Sequence, residues 1–387
     1  MKKQIMALLA LAVAQVGLAQ EETSATLYGY VRGEFAFDSR QVVAAREGNY
    51  IDLASPVNKV NGKDLNANPN FNGWGVESRL GVKIAGPEFF GMKSEALIES
   101  HFFGSSDASI NTLALRHAYV KLSSDKVEWL VGQFWHPMFV TNVSPRTYNF
   151  NAGSPFQPFN RSPQIRFSTK GNARLTLAAI TERDFASVGG KANLSALPAF
   201  HAQLQFGNDD KFVGGFGVNY KSLKTGLRGD YIGAFNFLAY AKAKLGESTA
   251  WQVYGNYGQN PSELLQLGAV GTDVNGKWKN NNVLALWTEF YGDFTPSFEW
   301  GIFGGYTKNF GFSKATTVSA AKFDGAVSSW RISPRLGWKS GNTKLTTELD
   351  YTSSSYGYYD VNGKSKNLPT DATAGNFRVS LSLIQSF

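Results

Sequence analysis

The C-terminal stretch Asn376-Phe-Arg-Val-Ser-Leu-Ser-Leu-Ile-Gln-Ser-Phe387 decides the fold of this chain. Apolar side chains alternate in it with Arg378 and a series of serines, up to an aromatic terminus. Because successive side chains of a β-strand point to opposite faces, such a strand has one apolar face and one polar face. A strand of this kind is typical of the wall of a transmembrane barrel, where it separates lipid from water.

The N-terminal segment 1–19 has the pattern of an export signal. Lys2 and Lys3 precede an apolar run, residues 5–13, which is followed by the small-residue site Gly17-Leu-Ala19. We therefore predict that residues 1–19 are a cleaved signal peptide and that the mature chain spans 20–387. An uncleaved membrane anchor is the alternative, but the apolar run is shorter than the roughly 20 residues that a spanning helix needs.

The composition suits many short strands better than a thick helical core. The chain has 40 Gly, 29 Phe, 16 Tyr and 9 Trp but no cysteine, so we expect neither disulfides nor thiolate metal sites. Removing Lys2 and Lys3 lowers the formal charge from +8 to +6. That charge is modest for a chain of this length and gives no reason to expect a nucleic-acid partner.

Alternation along the chain predicts about sixteen strands. The expected spans are 26–37, 74–84, 92–103, 112–122, 126–134, 162–169, 173–182, 198–206, 211–221, 229–245, 248–257, 283–291, 296–309, 328–339, 342–353 and 375–387. The tenth span is ambiguous, because residues 233–237 could form a turn and give an odd number of strands. Tight turns follow every second strand, and most of the other connections are long and polar.

Short turns at one end and long loops at the other are typical of outer-membrane barrels. We therefore predict an all-β fold, a transmembrane antiparallel up-and-down β-barrel of about 16 strands, as a single domain over 20–387. A soluble β-sandwich shares the alternation, but it does not explain the export signal, the loop asymmetry and the aromatic terminus together. The expected location is the outer membrane of a Gram-negative bacterium.

Side-chain parity assigns many charged residues to the lumen. A barrel of about sixteen strands is too wide for its own side chains to fill, so this charged lining implies an aqueous channel. On the second strand, Val76 is expected to face outward. The fourth strand resists this sorting, and either a β-bulge or burial against a neighbouring barrel would explain it. The candidate pore-lining residues are Arg32, Glu34, Arg79, Glu95, Glu99, Arg116, Arg146, Arg161, Arg166, Arg331, Arg335 and Arg378.

The loop 135–161 is expected to fold into the lumen and narrow it. It contains Arg146 and Arg161 but neither Asp nor Glu, so the local potential is expected to favour anions. The alternative is that carboxylates such as Glu34, Glu99 and Glu348 neutralise the wall pairwise. Counting across the turn at 340–341 places Arg335 opposite Glu348, which favours some pairing.

Five segments resemble the strand signatures of DcaP-type porins. They are Leu27-Tyr-Gly-Tyr-Val-Arg32, Ser78-Arg-Leu-Gly-Val82, Leu115-Arg-His-Ala-Tyr-Val120, Val131-Gly-Gln-Phe-Trp135 and Arg161-Ser-Pro-Gln-Ile-Arg-Phe167. The resemblance implies a sixteen-stranded trimeric porin of the outer membrane that takes up small, mostly anionic organic solutes such as carboxylates. By match to these motifs, Arg32, Arg79, Arg116 and Arg166 are candidate pore residues.

Two other classes of function remain as alternatives. An outer-membrane hydrolase is disfavoured, because His101, His117, His136 and His201 fall on separate elements and no nucleophile or metal motif accompanies them. We expect no enzyme activity, cofactor or metal. A plugged or ligand-binding barrel acting as an adhesin or receptor is the second alternative. The expected partners are small anionic or polar solutes, outer-membrane lipid, two further copies of the chain in a homotrimer, and the barrel-insertion machinery reading the strand that ends at Phe387.

Overall fold

The structure is a computed structural model, and it describes residues 23–104, 107–183 and 185–387. The predicted signal peptide, residues 1–19, lies outside the described residues. Within the described part of the chain, sixteen long strands form the wall. They are β1 (Ser24–Asp38), β2 (Arg79–Phe89), β3 (Met92–His101), β4 (Ala114–Ser123), β5 (Val127–Trp135), β6 (Arg161–Thr169), β7 (Ala173–Ile180), β8 (Ala199–Asn208), β9 (Phe212–Lys224), β10 (Tyr231–Lys244), β11 (Thr249–Gln259), β12 (Asn282–Thr295), β13 (Phe298–Gly311), β14 (Ala326–Ser340), β15 (Thr343–Tyr359) and β16 (Thr373–Ser386).

The wall closes on itself. Every strand pairs antiparallel with its neighbours in sequence, and β1 pairs both with β2, Leu27 opposite Val82, and with β16, Phe35 opposite Leu381. Closure leaves no edge unpaired among the sixteen wall strands that the structure describes, which a sheet in a lipid environment requires. The predicted antiparallel up-and-down barrel of about 16 strands is therefore confirmed.

The two faces of the wall differ as the alternation predicts. On β16 the outward Leu381 and Leu383 are 50% and 55% exposed, whereas the inward Arg378 is 1% exposed. Outward apolar residues follow the same pattern on the other strands, as Val31 and Phe35 do on β1. This continuous apolar outer surface is suited to lipid. Among the described residues, no helix is long and apolar enough to cross a membrane.

The connections alternate in length. Tight turns join β2 to β3, β4 to β5, β6 to β7 and each later even-numbered strand to the next, whereas most of the connections at the opposite end are long. Some long loops carry short elements of their own. These are the strands Val42–Ala45, Tyr50–Ala54, Lys59–Val60, Lys63–Asp64, Asn70–Trp74, Ala269–Thr272, Trp278–Asn280, Thr317–Ala321 and Ser365–Asn367, and the 3-10 turns Asp107–Ser109, Ala192–Leu194 and Ser262–Leu264.

Residue Val76 corrects one prediction. The strand Asn70–Trp74 pairs with β1, but the backbone leaves the sheet before β2 begins at Arg79. Val76, expected to face outward, is instead 4% exposed and packs with Tyr50 and Phe103. The reason is that residues 75–78 form a turn, so strand parity does not extend through them.

Two ambiguous strands are now settled. The strand β10 runs unbroken through 233–237, which makes the number of strands even. On β4 the pairing shifts register, because Glu99 lies opposite His117 whereas Ser100 lies opposite Leu115. This β-bulge at Arg116 is the first of the two explanations proposed from the sequence. It turns both Arg116 and His117 inward and keeps Leu115 on the outer face.

Candidate functional site

The loop between β5 and β6, residues 136–160, lies against inward-facing side chains of the barrel; we call it L3. Its apolar residues Met138, Val140, Val143 and Phe156 are buried. They pack on an apolar patch contributed by the inner faces of five strands: Val213, Leu238, Tyr240, Tyr254, Trp287 and Phe303. Burial of apolar surface on both sides of this contact stabilises L3 against β9–β13.

Hydrogen bonds fix the backbone of L3 along the same strands. The Tyr254 hydroxyl donates to the Met138 carbonyl oxygen at 2.8 Å, and the Trp287 indole nitrogen donates to the side chain of Gln157 at 2.6 Å. Lys242 donates to the carbonyl oxygen of Asn142 at 3.1 Å. Side chains of the wall thus hold L3 at several points along its length.

The opposite edge of L3 is bound by charged residues. The carboxylate of Glu348, which is fully buried, accepts hydrogen bonds from the backbone nitrogens of Tyr148 at 2.5 Å and Asn149 at 3.2 Å. Arg32 donates to the Tyr148 carbonyl oxygen at 2.5 Å. The Tyr148 hydroxyl donates to Glu299. The pKa of Tyr148 is raised, mainly by burial and secondly by this hydrogen bond. Charge-assisted bonds of this kind are stronger than neutral ones.

The first long loop, residues 39–78 between β1 and β2, also enters the barrel. Its strand Tyr50–Ala54 is buried throughout. Arg331 donates to the carbonyl oxygens of Ser154 at 2.9 Å and Asp52 at 3.0 Å, so one guanidinium ties this loop to L3. Ser154 donates to the Asp52 carboxylate at 2.8 Å, and burial raises the pKa of Asp52 to about 6.

Arg378 anchors the same loop from β16. Its guanidinium makes a bidentate pair with Asp38, at 2.9 Å and 2.6 Å. It also donates to the carbonyl oxygens of Gly48 and Asn49. Arg331 and Arg378 are therefore placed as supports of the loops, with their donors directed at protein oxygens.

A first cavity of about 450 Å³ lies between L3 and strands β1–β5. Its carboxylates are paired: Glu77 lies 2.8 Å from Arg32, and Glu99 lies 2.5 Å from Arg116. Among the described residues, Arg79 and Lys83 have no carboxylate within ion-pair distance, and each lies over a tyrosine ring. The charged lining is Arg32, Glu77, Arg79, Lys83, Glu99 and Arg116.

A second cavity of about 430 Å³ lies near the short turns of β12–β15. Its two carboxylates, Asp293 and Glu299, are both paired with Lys339, and Glu299 also with Lys344. The guanidinium of Arg146 lies 4.3 Å from the ring centre of Tyr291 and, within the described part of the chain, has no carboxylate partner. Tyr148 contributes to the walls of both cavities.

The other predicted residues occupy different surroundings. Arg335 lies 2.6 Å from Glu289, and Glu34 lies 3.0 Å from Arg32. Arg161 is 4% exposed and lies over the ring of Trp135. Glu95 pairs with Lys121 at 2.7 Å and is half exposed. Arg166 does not line the first cavity, and it faces a separate crevice described below.

Sequence reasoning missed several residues of this region. Tyr148 and Glu299 were not among the candidates, although Glu299 shares its parity with the inward Phe303. The apolar inner patch was missed as well. On β10 the inward Leu238 and Tyr240 alternate with outward apolar residues, and a strand that is apolar on both faces is typical of a wall covered on both sides.

Comparisons with known proteins agree on the fold. The outer membrane channel DcaP of Acinetobacter baumannii superposes with a TM-score of 0.74 at 18% identity, covering 95% of this chain and 99% of that one. The chain has the fold of an outer-membrane porin. An anion-selective porin from Comamonas acidovorans matches with a TM-score of 0.58 at 12% identity, covering 95% of this chain and all of that one. A trimer form of OmpT from Vibrio cholerae matches with a TM-score of 0.56 at 10% identity, covering 95% and 100%.

Comparisons by sequence found no relative. No family model matches the chain, and no curated protein matches it. The structural match to DcaP confirms, at the level of the fold, the resemblance to DcaP-type porins predicted from the strand segments.

Proposed function

We propose that this protein is a porin for passive diffusion of small hydrophilic solutes, with a preference for anionic organic molecules such as carboxylates. One observation carries the proposal. In both cavities the lining carboxylates are each paired with a basic side chain, whereas the side-chain cations of Arg79, Lys83 and Arg146 have no carboxylate partner among the described residues. The lining therefore has an excess of positive charge.

The physical basis is the focusing of that charge. Low-dielectric walls concentrate the field of unpaired cations in a cleft, which raises the local concentration of anions. A solute that enters exchanges part of its hydration for contacts with arginine and tyrosine side chains. Such contacts must remain weak, because a tightly bound solute does not leave down its gradient.

The porin fold supports a location in the outer membrane of a Gram-negative bacterium. It also supports assembly as a homotrimer, since porins of this fold include a trimer from Vibrio cholerae. The C-terminal strand remains our proposed contact for the barrel-insertion machinery. The backbone of Phe387 pairs with Gly29 of β1, so this strand completes the closed wall.

The histidines support a channel over an enzyme. The His101 and His117 rings pack against Phe103 and Phe134, at 5.3 Å and 5.1 Å between ring centres. The ring nitrogen Nδ1 of His136 accepts a hydrogen bond from the backbone of Met138, and burial lowers the pKa of His136 well below its usual value. A general base needs a nucleophile or water within reach, and packing residues do not provide that geometry.

The buried first loop favours one second candidate, a plugged barrel that binds a ligand. Its strand Tyr50–Ala54 fills space inside the wall and contacts L3. A plugged barrel should show no steady conductance, whereas a porin should conduct in the absence of any added ligand.

Uptake by liposomes tests the proposed preference. We would compare the swelling of proteoliposomes in a small carboxylate and in an amine of matched size, for the wild type and for the double variant Arg79→Gln, Arg146→Gln. A unit charge at 4 Å is worth about 1 kcal/mol in water, so each lost charge should cost roughly fivefold of the carboxylate preference and the double variant should lose more than either single change. The control is Lys126→Gln, an exposed lysine in the β4–β5 turn. Equal swelling of wild type and variant in the carboxylate would contradict the proposal.

A further inference from the structure

A third space in the lumen is a narrow crevice of about 70 Å³ between L3 and strands β6–β8. One side is formed by residues 137 and 139–142 of L3, and the other by inward side chains of the wall. The two larger cavities contact a different part of L3, residues 146–150, 152 and 159. The crevice is thus distinct from the two larger cavities.

Polar side chains from three neighbouring strands form the wall side of the crevice, and the strand register places them opposite one another. Ser168 on β6 lies opposite Thr176 on β7, and Thr176 lies opposite Gln203 on β8. Arg174 lies opposite Gln205. Because these positions share one parity, all of them point inward.

Two cationic side chains, Arg166 and Arg174, line the crevice. Arg166 and Arg174 repel each other, and Glu128 lies 3.4 Å from Arg174. Arg166 donates to Gln164 at 2.9 Å and to the Trp135 carbonyl oxygen at 2.5 Å. Within the described residues it has no carboxylate partner. The cluster therefore carries an uncompensated positive charge.

Hydrogen-bond donors remain free at the same place. The Nε of Arg174 is buried without a hydrogen-bond partner among the described residues. The hydroxyls of Ser168 and Thr176 are 3.1 Å apart, and that bond uses one of their two hydrogens. The side-chain amides in the crevice are already engaged: that of Gln203 donates to the Tyr240 hydroxyl, and that of Asn142 donates to the side-chain oxygen of Gln205. The free donors are therefore mostly guanidinium and hydroxyl groups, which suit an oxygen-rich anion.

We propose that this crevice binds a small tetrahedral oxyanion of the sulfate or phosphate class, held by Arg166, Arg174 and the Ser168–Thr176 hydroxyls. The volume suits such an ion and is too small for an organic solute of the kind proposed for the larger cavities. A bound oxyanion would relieve the repulsion between the two guanidinium groups. It would also link β6 and β7 to L3, because Arg166 already holds the Trp135 carbonyl where L3 begins.

Selenate, an analogue of sulfate with an anomalous X-ray signal, tests the site directly. Crystals of the full-length mature protein soaked in selenate should show an anomalous peak between Arg166 and Arg174. A crevice that contains only water would give no peak there and would overturn the proposal.

A solution measurement tests the same site without crystals. At constant ionic strength, sulfate should raise the midpoint of thermal unfolding of the wild type more than chloride does, because a ligand that binds the folded state stabilises it. Arg174→Gln should weaken the apparent sulfate affinity by at least about tenfold, since it removes a charge-assisted contact. Arg174 does not hold L3, so this variant should fold even if Arg166→Gln does not. The control Lys191→Gln, in an exposed loop, should respond as the wild type does.

The outcomes separate this site from the proposed function. Equal stabilisation of wild type, Arg174→Gln and Lys191→Gln by sulfate would show a general salt effect and would overturn the site. Conductance with anion preference in the same preparation would leave the porin proposal in place.

Discussion

Arg335 lies directly opposite Glu348 across strands β14 and β15, yet the two side chains serve different partners. Arg335 lies 2.6 Å from Glu289 on β12. Glu348 accepts the backbone N–H groups of Tyr148 and Asn149 in L3. The register predicted from the turn is thus correct, and the structure adds that the carboxylate of Glu348 binds the backbone of L3.

This relationship predicts that Glu348→Gln will loosen L3 while the barrel stays folded. The amide lacks the charge that strengthens both hydrogen bonds, and losing such bonds costs about 1–3 kcal/mol. Hydrogen exchange measured by mass spectrometry should show faster exchange at Tyr148 and Asn149. The exposed Glu88 gives the matched control, Glu88→Gln. Unchanged exchange at both amides would show that the carboxylate does not stabilise L3.

Tyr148 is predicted to limit the passage between the two larger cavities, because its side chain belongs to the wall of both. Tyr148→Ala should raise the single-channel conductance, since it removes the ring from that boundary. Tyr148→Phe keeps the ring but loses the hydroxyl bond to Glu299, so its conductance should stay close to that of the wild type. Equal conductance of Tyr148→Ala and the wild type would place the narrowest point elsewhere.

Asp52 predicts a pH dependence of stability. Burial raises its pKa from 3.8 to about 6 in the folded protein, so the folded state favours the neutral carboxyl group. The contribution of Asp52 to the free energy of unfolding is fully present below pH 3.8 and is lost as the pH rises through 6. The full difference is about 3 kcal/mol, from the size of the shift.

Asp52→Asn is the variant that isolates this effect, because its amide stays neutral at every pH. Between pH 3.5 and pH 7, the unfolding free energy of the wild type should fall relative to that of Asp52→Asn. Denaturant unfolding followed by tryptophan fluorescence measures both. Parallel pH profiles of the two proteins would show that Asp52 does not titrate in this range.

Phe387 is predicted to matter for assembly more than for transport. Its side chain is 55% exposed on the outer face, and its backbone bonds to Gly29 do not depend on the ring. Phe387→Ser should therefore lower the amount of barrel in the outer membrane of expressing cells, while the barrels that assemble keep the wild-type conductance. Normal membrane levels of this variant would argue against recognition of the aromatic terminus.

Period-two alternation predicted the wall of the barrel well, because lipid and lumen impose opposite demands on successive residues. The continuous tenth strand and the bulge at Arg116 both follow from that constraint. At Arg116, the break in parity was itself the signal of the bulge.

The interior could be predicted only in part, because loops have no such periodicity. The sequence indicates a lumen lined by charged residues, but it does not show that Met138 and Val140 cover an apolar wall. Nor does it show that Arg331 and Arg378 direct their donors to loop carbonyls. These contacts depend on where each loop enters the barrel, which no local pattern specifies.

The reversal potential of the wild-type protein in a planar bilayer, under a salt gradient, tests the central claim most directly. Because Arg79, Lys83 and Arg146 leave an excess of positive charge in the lining, we expect stable conductance and a reversal potential of the sign given by anion preference. Cation preference would contradict the proposed role of these residues. The absence of any conductance from correctly folded protein would contradict the porin itself.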